Sequence, residues 1–332
     1  MSTFKTALLA TAAALSLACI GPASAETKTI AMVFKVLNNA FTPPLQQGCA
    51  AAAKDFGVTC TFMGPTEYNE AEEIQMVQDM IQRGVDGLAV SAANPKAMAR
   101  VLQQAKDKGI PVVMFDSDVL AEDAGVRLTF IGTDNYQFGA ELAKKVLADK
   151  KKGGTVCIQS GAPASLNLND RIQGIRDTLA GAAKTAPVKQ LTGQNGWTEA
   201  AGCPVYNNDD IRLAAQQVND VFTANPKLDA FIAVGGWAQY APQAYRQGVE
   251  LQKARVASKD LVISFGDNFE PQMPLLKEGL SHYNIGQRPY DMAYTAVKSL
   301  VDVFAGKKLE PMIVTGVEVC TPGTADACGK AK

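Results

Sequence analysis

Val85-Asp86-Gly87-Leu88-Ala89-Val90-Ser91 and Ile110-Pro111-Val112-Val113-Met114-Phe115-Asp116 frame a helical segment at 96–108. Both outer runs are short and almost wholly apolar. Strands covered on both faces have this pattern, because helices shield each side of a parallel sheet. Strand, helix, strand in that order is the crossover unit of an α/β fold. Upstream, 28–34 is apolar and β-rich, and Thr42-Pro43-Pro44 opens a helix with Thr42 as its cap and Pro43 at its first position. Val58, Cys60 and Phe62 alternate as a strand does, and Ile74, Val77 and Ile81 recur at helical spacing within 70–83. The first half therefore reads βαβαβαβ. A second series follows, with strands at 155–159, 187–191, 230–234, 261–265 and 282–285, and helices at 168–180, 210–222, 239–247, 270–277 and 293–304. The region 195–206 reads as a long loop, and His282 falls inside a strand in a structural role. Two successive series predict two similar lobes.

The length agrees: 332 residues at roughly 150 per domain give two domains. Hydrophobic residues at 47% and charged residues at 20% supply two cores and exclude a disordered chain. Lys+Arg 32 against Asp+Glu 33 leaves no basic surplus for nucleic acid. A single histidine, His282, excludes a multi-histidine metal centre, and no cofactor is expected.

Residues 1–25 hold one charge, Lys5, then an apolar run from Ala7 to Ile20, Pro22 and Ala23-Ser24-Ala25. This is the layout of an export signal cut before Glu26. The run falls short of the ~20 residues a membrane span needs. Cys19 would suit a lipoprotein, but Ser16 stands where a lipobox carries Leu. A soluble periplasmic protein is expected. Of the seven cysteines, six remain after cleavage: Cys49, Cys60, Cys157, Cys203, Cys320 and Cys328. An even number in an oxidising compartment favours disulfides over zinc, and no C-x-x-C occurs. Counting alone leaves every pairing open. Adjacency of the predicted elements favours the three sequential pairs.

Ligands of open α/β sheets sit beyond the carboxyl ends of the strands. The residues there are Lys35, Asn38, Asn39 and Phe41; Asp116 and Asp118; Gly235, Gly236 and Trp237; Asp267 and Asn268; and Gln287. Carboxylates and amides match hydroxyls, and flat rings match C–H faces, so a polyhydroxylated ligand is expected.

Val36-Leu37-Asn38-Asn39-Ala40-Phe41, the two runs that open this section, and Gly132-Thr133-Asp134-Asn135 together resemble periplasmic sugar-binding proteins of the ribose-binding type. The resemblance runs in order along nearly the whole mature chain. It implies the periplasmic binding protein type I fold: two Rossmann-like lobes with parallel-rich sheets and a three-crossover hinge. It divides the chain into a signal peptide at 1–25, a first lobe at 26–133 plus 288–316, and a second at 134–287 plus 317–332. It implies a monomer that closes on one monosaccharide or sugar alcohol and delivers it to the permease subunits of an ABC transporter. By motif it carries over Asn39, Phe41, Asp116, Arg171 (in Asn169-Asp170-Arg171-Ile172-Gln173-Gly174), Gln287 and, displaced by one position, Asp267 as ligand residues. Ser117 stands where the ribose type has arginine, Thr42 replaces an aromatic and Gly235 an asparagine, while Trp237 offers a ring. These departures argue for a ligand other than ribose. Lys35, Gly64-Pro65-Thr66-Glu67 and Asp116-Ser117-Asp118 also resemble the branch that binds autoinducer-2 or rhamnose, whose second-lobe acidic motif has no match.

An enzyme is not expected. No G-x-S-x-G, Walker loop, G-x-G-x-x-G or H-E-x-x-H occurs. A glycoside hydrolase is the rival of a different class, since its paired carboxylates look like sugar-binding ones in sequence.

Overall fold

A computed structural model describes residues 27–330; the expected export signal at 1–25, Cys19 included, lies outside the described residues. In chain order the elements are β1 (Thr29–Val33), α1 (Thr42–Phe56), β2 (Thr59–Met63), α2 (Glu70–Arg83), β3 (Gly87–Val90), α3 (Pro95–Asp107), β4 (Val112–Phe115), β5 (Thr129–Gly132), α4 (Asn135–Asp149), β6 (Gly154–Ser160), α5 (Leu166–Ala180), β7 (Trp197–Glu199), β8 (Val205–Tyr206), α6 (Ile211–Ala224), β9 (Ala230–Ala233), α7 (Pro242–Glu250), α8 (Lys253–Ala257), β10 (Val262–Gly266), α9 (Met273–Lys277), β11 (Tyr283–Gly286), α10 (Pro289–Phe304), β12 (Met312–Val314) and β13 (Glu318–Cys320).

They build two sheets of matching strand order. The first runs β12-β5-β4-β3-β1-β2, the second β13-β11-β10-β9-β6-β7, with β8 also paired to β6. Each is the doubly wound 2-1-3-4-5 order with one further strand at the edge. All ladders are parallel except β11 with β13. Every residue of β3, β4, β5, β9 and β10 is buried, which explains why these strands read as continuous apolar runs. The chain passes between sheets three times: from β5 into α4, from β11 into α10, and from β12 into β13. Crossovers and strand ends therefore gather on one side of each sheet.

Local chemistry places the elements. The Asn69 side chain accepts from Glu72 N, three glutamates occupy the first turn of α2, and Gly84 ends it in the left-handed region. Cap, dipole complement and stop thus agree. Thr42 does not cap α1 as expected. It lies inside the helix, and Asn39 Oδ1 instead accepts from Phe41 N at 2.9 Å. That is an Asx turn, which satisfies the chain one step earlier.

The expected strand at 187–191 is not a strand. Pro187 has no N–H, and Val188 N donates to Asp177 Oδ1 at 2.7 Å, so the segment is tied to a helix instead of a ladder. The edge position belongs to β7, inside the presumed long loop, where Trp197 is wholly buried. His282 precedes β11. Its Nδ1 accepts from Ile263 N at 3.0 Å and burial pushes its pKa down, a structural histidine. The cysteines pair as Cys49–Cys60, Cys157–Cys203 and Cys320–Cys328. Among the described residues, no helix is long and apolar enough to cross a membrane.

Candidate functional site

Where the carboxyl ends of the two sheets face each other, one small cavity is lined by Lys35, Asn39, Phe41, Asp116, Arg171, Trp237, Asp267 and Gln287. These eight were singled out in the sequence, and so was Gly235, which also lines the cavity; Asn38 and Gly236 do not line it. The structure adds Phe34, Asn167, Leu168, Asp209 and Tyr240. Asp118 is not among them; it turns outward to Arg127, with Nη2–Oδ2 at 2.6 Å. Asn268 also turns away, donating to Glu318 Oε2 at 2.5 Å.

On the first-lobe side, Asp116 follows β4 with φ 57. A left-handed backbone is tolerable for Asp, and here it turns the carboxylate over the strand end. Oδ2 accepts from Ser91 Oγ at 2.8 Å and lies 3.1 Å from Lys35 Nζ, with both side chains at most 6% exposed. Phe41 stacks on Phe34 at 5.8 Å and meets the edge of Phe269, from the opposite lobe, at 5.7 Å.

On the second-lobe side, Asp267 follows β10 with φ 68, the counterpart of Asp116 after the fourth strand of its sheet. Its Oδ2 accepts from Gly236 N at 3.0 Å and from Tyr240 Oη at 2.7 Å. Its Oδ1 accepts from Gln287 Nε2 at 2.8 Å. Arg171 is held by Nε to Asn135 Oδ1 at 2.8 Å, Nη1 to Val234 O at 2.9 Å and Nη2 to Gln287 Oε1 at 2.7 Å. Its guanidinium rests on the Phe138 ring at 4.5 Å. Burial pushes its pKa down while Asp267 and Asp116 pull it up; a guanidinium stays charged regardless. Trp237 is 6% exposed and lies against Gly235, where a Cβ would meet the ring at 2.7 Å.

Helix α5 can carry Arg171 so close to α4 because glycines face each other. A Cβ on Gly139 would collide with the Arg171 carbonyl, and one on Gly174 with that of Tyr136.

Few bonds cross the cleft itself. Asn167 Oδ1 accepts from Lys35 Nζ and Asn167 Nδ2 donates to Asp116 Oδ1, both at 3.4 Å. Ser165 Oγ donates to Ala93 O at 3.4 Å. Thr133 Oγ1, at the first crossover, donates to Gln287 Oε1, at the second, at 3.0 Å. The cavity left between the lobes is about 40 Å³. A water needs roughly 10–15 Å³ on the same measure, whereas small-molecule sites run to roughly 300–1,000 Å³.

Tyr240 and Asn167 were missed in the sequence. Tyr240 ends a short 3₁₀ turn after β9, and Asn167 sits in the first turn of α5. Neither position carries a periodic signal; only three-dimensional closure brings them to the cavity.

The family model for "Periplasmic binding protein domain" matches residues 30–308. A D-ribose/D-allose-binding protein of Pseudomonas aeruginosa is 28% identical over 95% of both chains. The ribose import binding protein of Escherichia coli is 25% identical over 93% of this chain and 96% of its own length. Among solved structures, an ABC transporter solute-binding protein from Burkholderia graminis in complex with D-arabinose is 28% identical. It superposes with a TM-score of 0.77 over 92% of this chain and 98% of its own. An Agrobacterium vitis solute-binding protein with bound D-fucose reaches a TM-score of 0.80 at 23% identity, a likeness of fold.

Proposed function

This chain belongs to the periplasmic binding protein domain family, and from that premise we propose that it captures a monosaccharide or sugar alcohol between its lobes and delivers it to an ABC transporter. The observation that carries this reading is the convergence of three carboxylates, one lysine, one arginine, amides and aromatic rings, from both lobes, on one cavity. Two cations against three carboxylates nearly balance, which suits a neutral ligand rich in hydroxyls. The relatives' printed ligands, ribose, allose and arabinose, are of this class.

Closure follows from geometry. Each half-site is held mainly from its own side: Asp116 by Ser91 and Lys35, Asp267 by Gly236, Tyr240 and Gln287. A ligand that replaces the few cross-cleft bonds of Asn167 touches both halves at once, so it stabilises the closed state and shifts the population toward it. The hinge lies in the three crossovers. Permease subunits then recognise the closed form in the periplasm.

The carboxylates do not form a glycosidase pair in this reading. A hydrolase needs one carboxyl that delivers a proton to the leaving oxygen. Here Asp116 accepts from Ser91 and Asn167, and Asp267 from Gly236, Tyr240 and Gln287, so these two act as acceptors.

The test is thermal-shift screening against pentoses, hexoses, deoxysugars and pentitols, followed by calorimetry. A specific ligand at 100 times its Kd adds about 2.7 kcal/mol by mass action. No shift with any member of the panel would refute the assignment, and turnover of aryl glycosides would replace it with the hydrolase.

A further inference from the structure

Asp209 stands apart from the other cleft carboxylates. It is 5% exposed, lines the cavity, and its Oδ2 has no hydrogen-bond partner among the described residues. An acceptor buried without a donor weakens a fold, because its lost hydration is not replaced. Asn207 and Asn208 hold the backbone in place: Asn207 N donates to Ser160 O at 2.9 Å and Asn208 N to Gly161 O at 3.3 Å. The loop after β8 therefore fixes the carboxyl in the cavity wall, where the Trp237 side chain bonds it and no donor among the described residues reaches Oδ2.

Its position is also distinct. Asp209 lines both the inner cavity and an outer chamber of about 320 Å³, bounded by Asn38, Glu67 and Tyr68 of one lobe and Asp210 and Arg212 of the other. Asp116 and Asp267 line the inner cavity and not the outer chamber. Burial pushes the Asp209 carboxyl up, with a push from Asp116 and against the pull of Lys35, a Trp237 side-chain hydrogen bond and Arg171; two cations therefore already attend it, and a ligand ammonium would meet repulsion from both.

We propose that Asp209 is a specificity-determining acceptor, which takes a hydrogen bond from a neutral hydroxyl at the mouth-facing end of the bound ligand. This rests on the sugar or polyol reading of the cleft. The ligand class is thereby narrowed to molecules with a free hydroxyl at that end. A deoxy or O-methyl analogue at that carbon leaves Oδ2 buried and unpaired, which is how a hydrogen-bonding site rejects a near relative.

The experiment uses the mature protein and its Asp209→Ala and Asp209→Asn variants, with D-ribose, D-allose, D-arabinose, D-fucose and xylitol as probes. Unliganded melting and calorimetric Kd are read for each. The monodeoxy series of the tightest probe follows. For Asp209→Ala we expect affinity to fall about 10- to 100-fold, while the unliganded melting temperature stays level or rises, because an unpaired buried acceptor is gone. One monodeoxy analogue binds wild type and Asp209→Ala equally. Affinity in Asp209→Ala within threefold of wild type overturns the proposal. So does a lowered unliganded melting temperature in both variants, which marks a structural acceptor. Wild type binding none of the probes instead overturns the sugar reading, and the proposal with it.

Discussion

Replacing Asp116 by alanine isolates the electrostatics of the cleft from the stability of the fold. Asp116 Oδ2 and Lys35 Nζ lie 3.1 Å apart and almost out of water. At an effective dielectric of about 20 the attraction is roughly 5 kcal/mol. Desolvation offsets part of it, and breaking such a pair by removing one partner costs about 3–5 kcal/mol, since the other charge stays buried. That penalty belongs to the closed arrangement alone. When the lobes part, Lys35 returns to water and the cost vanishes. The unliganded variant should therefore open, with a larger radius of gyration by small-angle scattering and a melting temperature within a few degrees of wild type. Ligand capture demands closure and has to absorb the penalty. Three kcal/mol is about a 150-fold loss in affinity, before the carboxylate's own bonds to the ligand are counted. Calorimetry with the tightest probe sugar measures it. An affinity within tenfold of wild type would refute the reasoning. So would a melting drop of about 6–20 °C with unchanged dimensions, which is the full penalty expressed in a protein of this size and means the lobes cannot part.

Burial lifts the Glu73 carboxyl to about 8, from an ordinary 4.5, against the pull of the Ala93 N–H and Lys35 and with the push of Glu70 and Asp116. The folded state then holds a proton that the unfolded chain releases, so this contribution to stability is complete below pH 4.5 and is lost as pH rises through 8. Wild type should lose melting temperature across that window relative to Glu73→Gln, and parallel profiles would count against it. Gly139→Ala drives a methyl into the Arg171 carbonyl. It should cost about 1–3 kcal/mol of stability and weaken ligand binding as well, since α5 carries Arg171; calorimetry of stability and of binding reads both. Converting Cys157 and Cys203 to serine opens a link spanning 46 residues. The expected loss is about 4 kcal/mol, against about 2.5 for the link spanning 8 residues at Cys320–Cys328; denaturant midpoints rank the two.

What was legible in the sequence depended on how local the cause was. Strands buried on both faces announce themselves by composition, so 87–91 and 110–115 were found within a residue or two of β3 and β4. The positions just beyond them, Asp116 and Asp267, followed from strand position and the family likeness. The edge of the second sheet was not legible. Pro187–Leu191 has the apolar ends of a short strand, and the decision against it comes from Asp177 on the preceding helix, α5, which captures Val188 N. β5 and α4 drew no assignment as elements of the pattern, although Gly132-Thr133-Asp134-Asn135 was noticed. Their junction is a crossover between lobes, so no turn separates strand from helix. Tyr240 and Asn167 escaped because their roles come from closure, which no local pattern encodes.

Two of the left-handed aspartates, Asp116 and Asp267, show how similar lobes come to do unlike work. Both follow the fourth strand of a 2-1-3-4-5 sheet, and both donate their backbone N–H to the strand beside them: Asp116 N to Ile131 O at 3.1 Å and Asp267 N to Ile285 O at 2.7 Å. Their partners differ in kind. Asp267 is saturated by neutral donors, one of which, Gln287, also bonds Thr133 of another crossover and Arg171. Its geometry is thus tied to the hinge and survives opening. Asp116 is matched by a lysine whose charge is tolerated out of water only beside a carboxylate, and its one link across the cleft is the amide of Asn167. The second lobe therefore offers a rigid half-site. The first offers a charged one whose desolvation cost depends on closure, and a ligand supplying hydroxyls to both is the species that makes closure favourable.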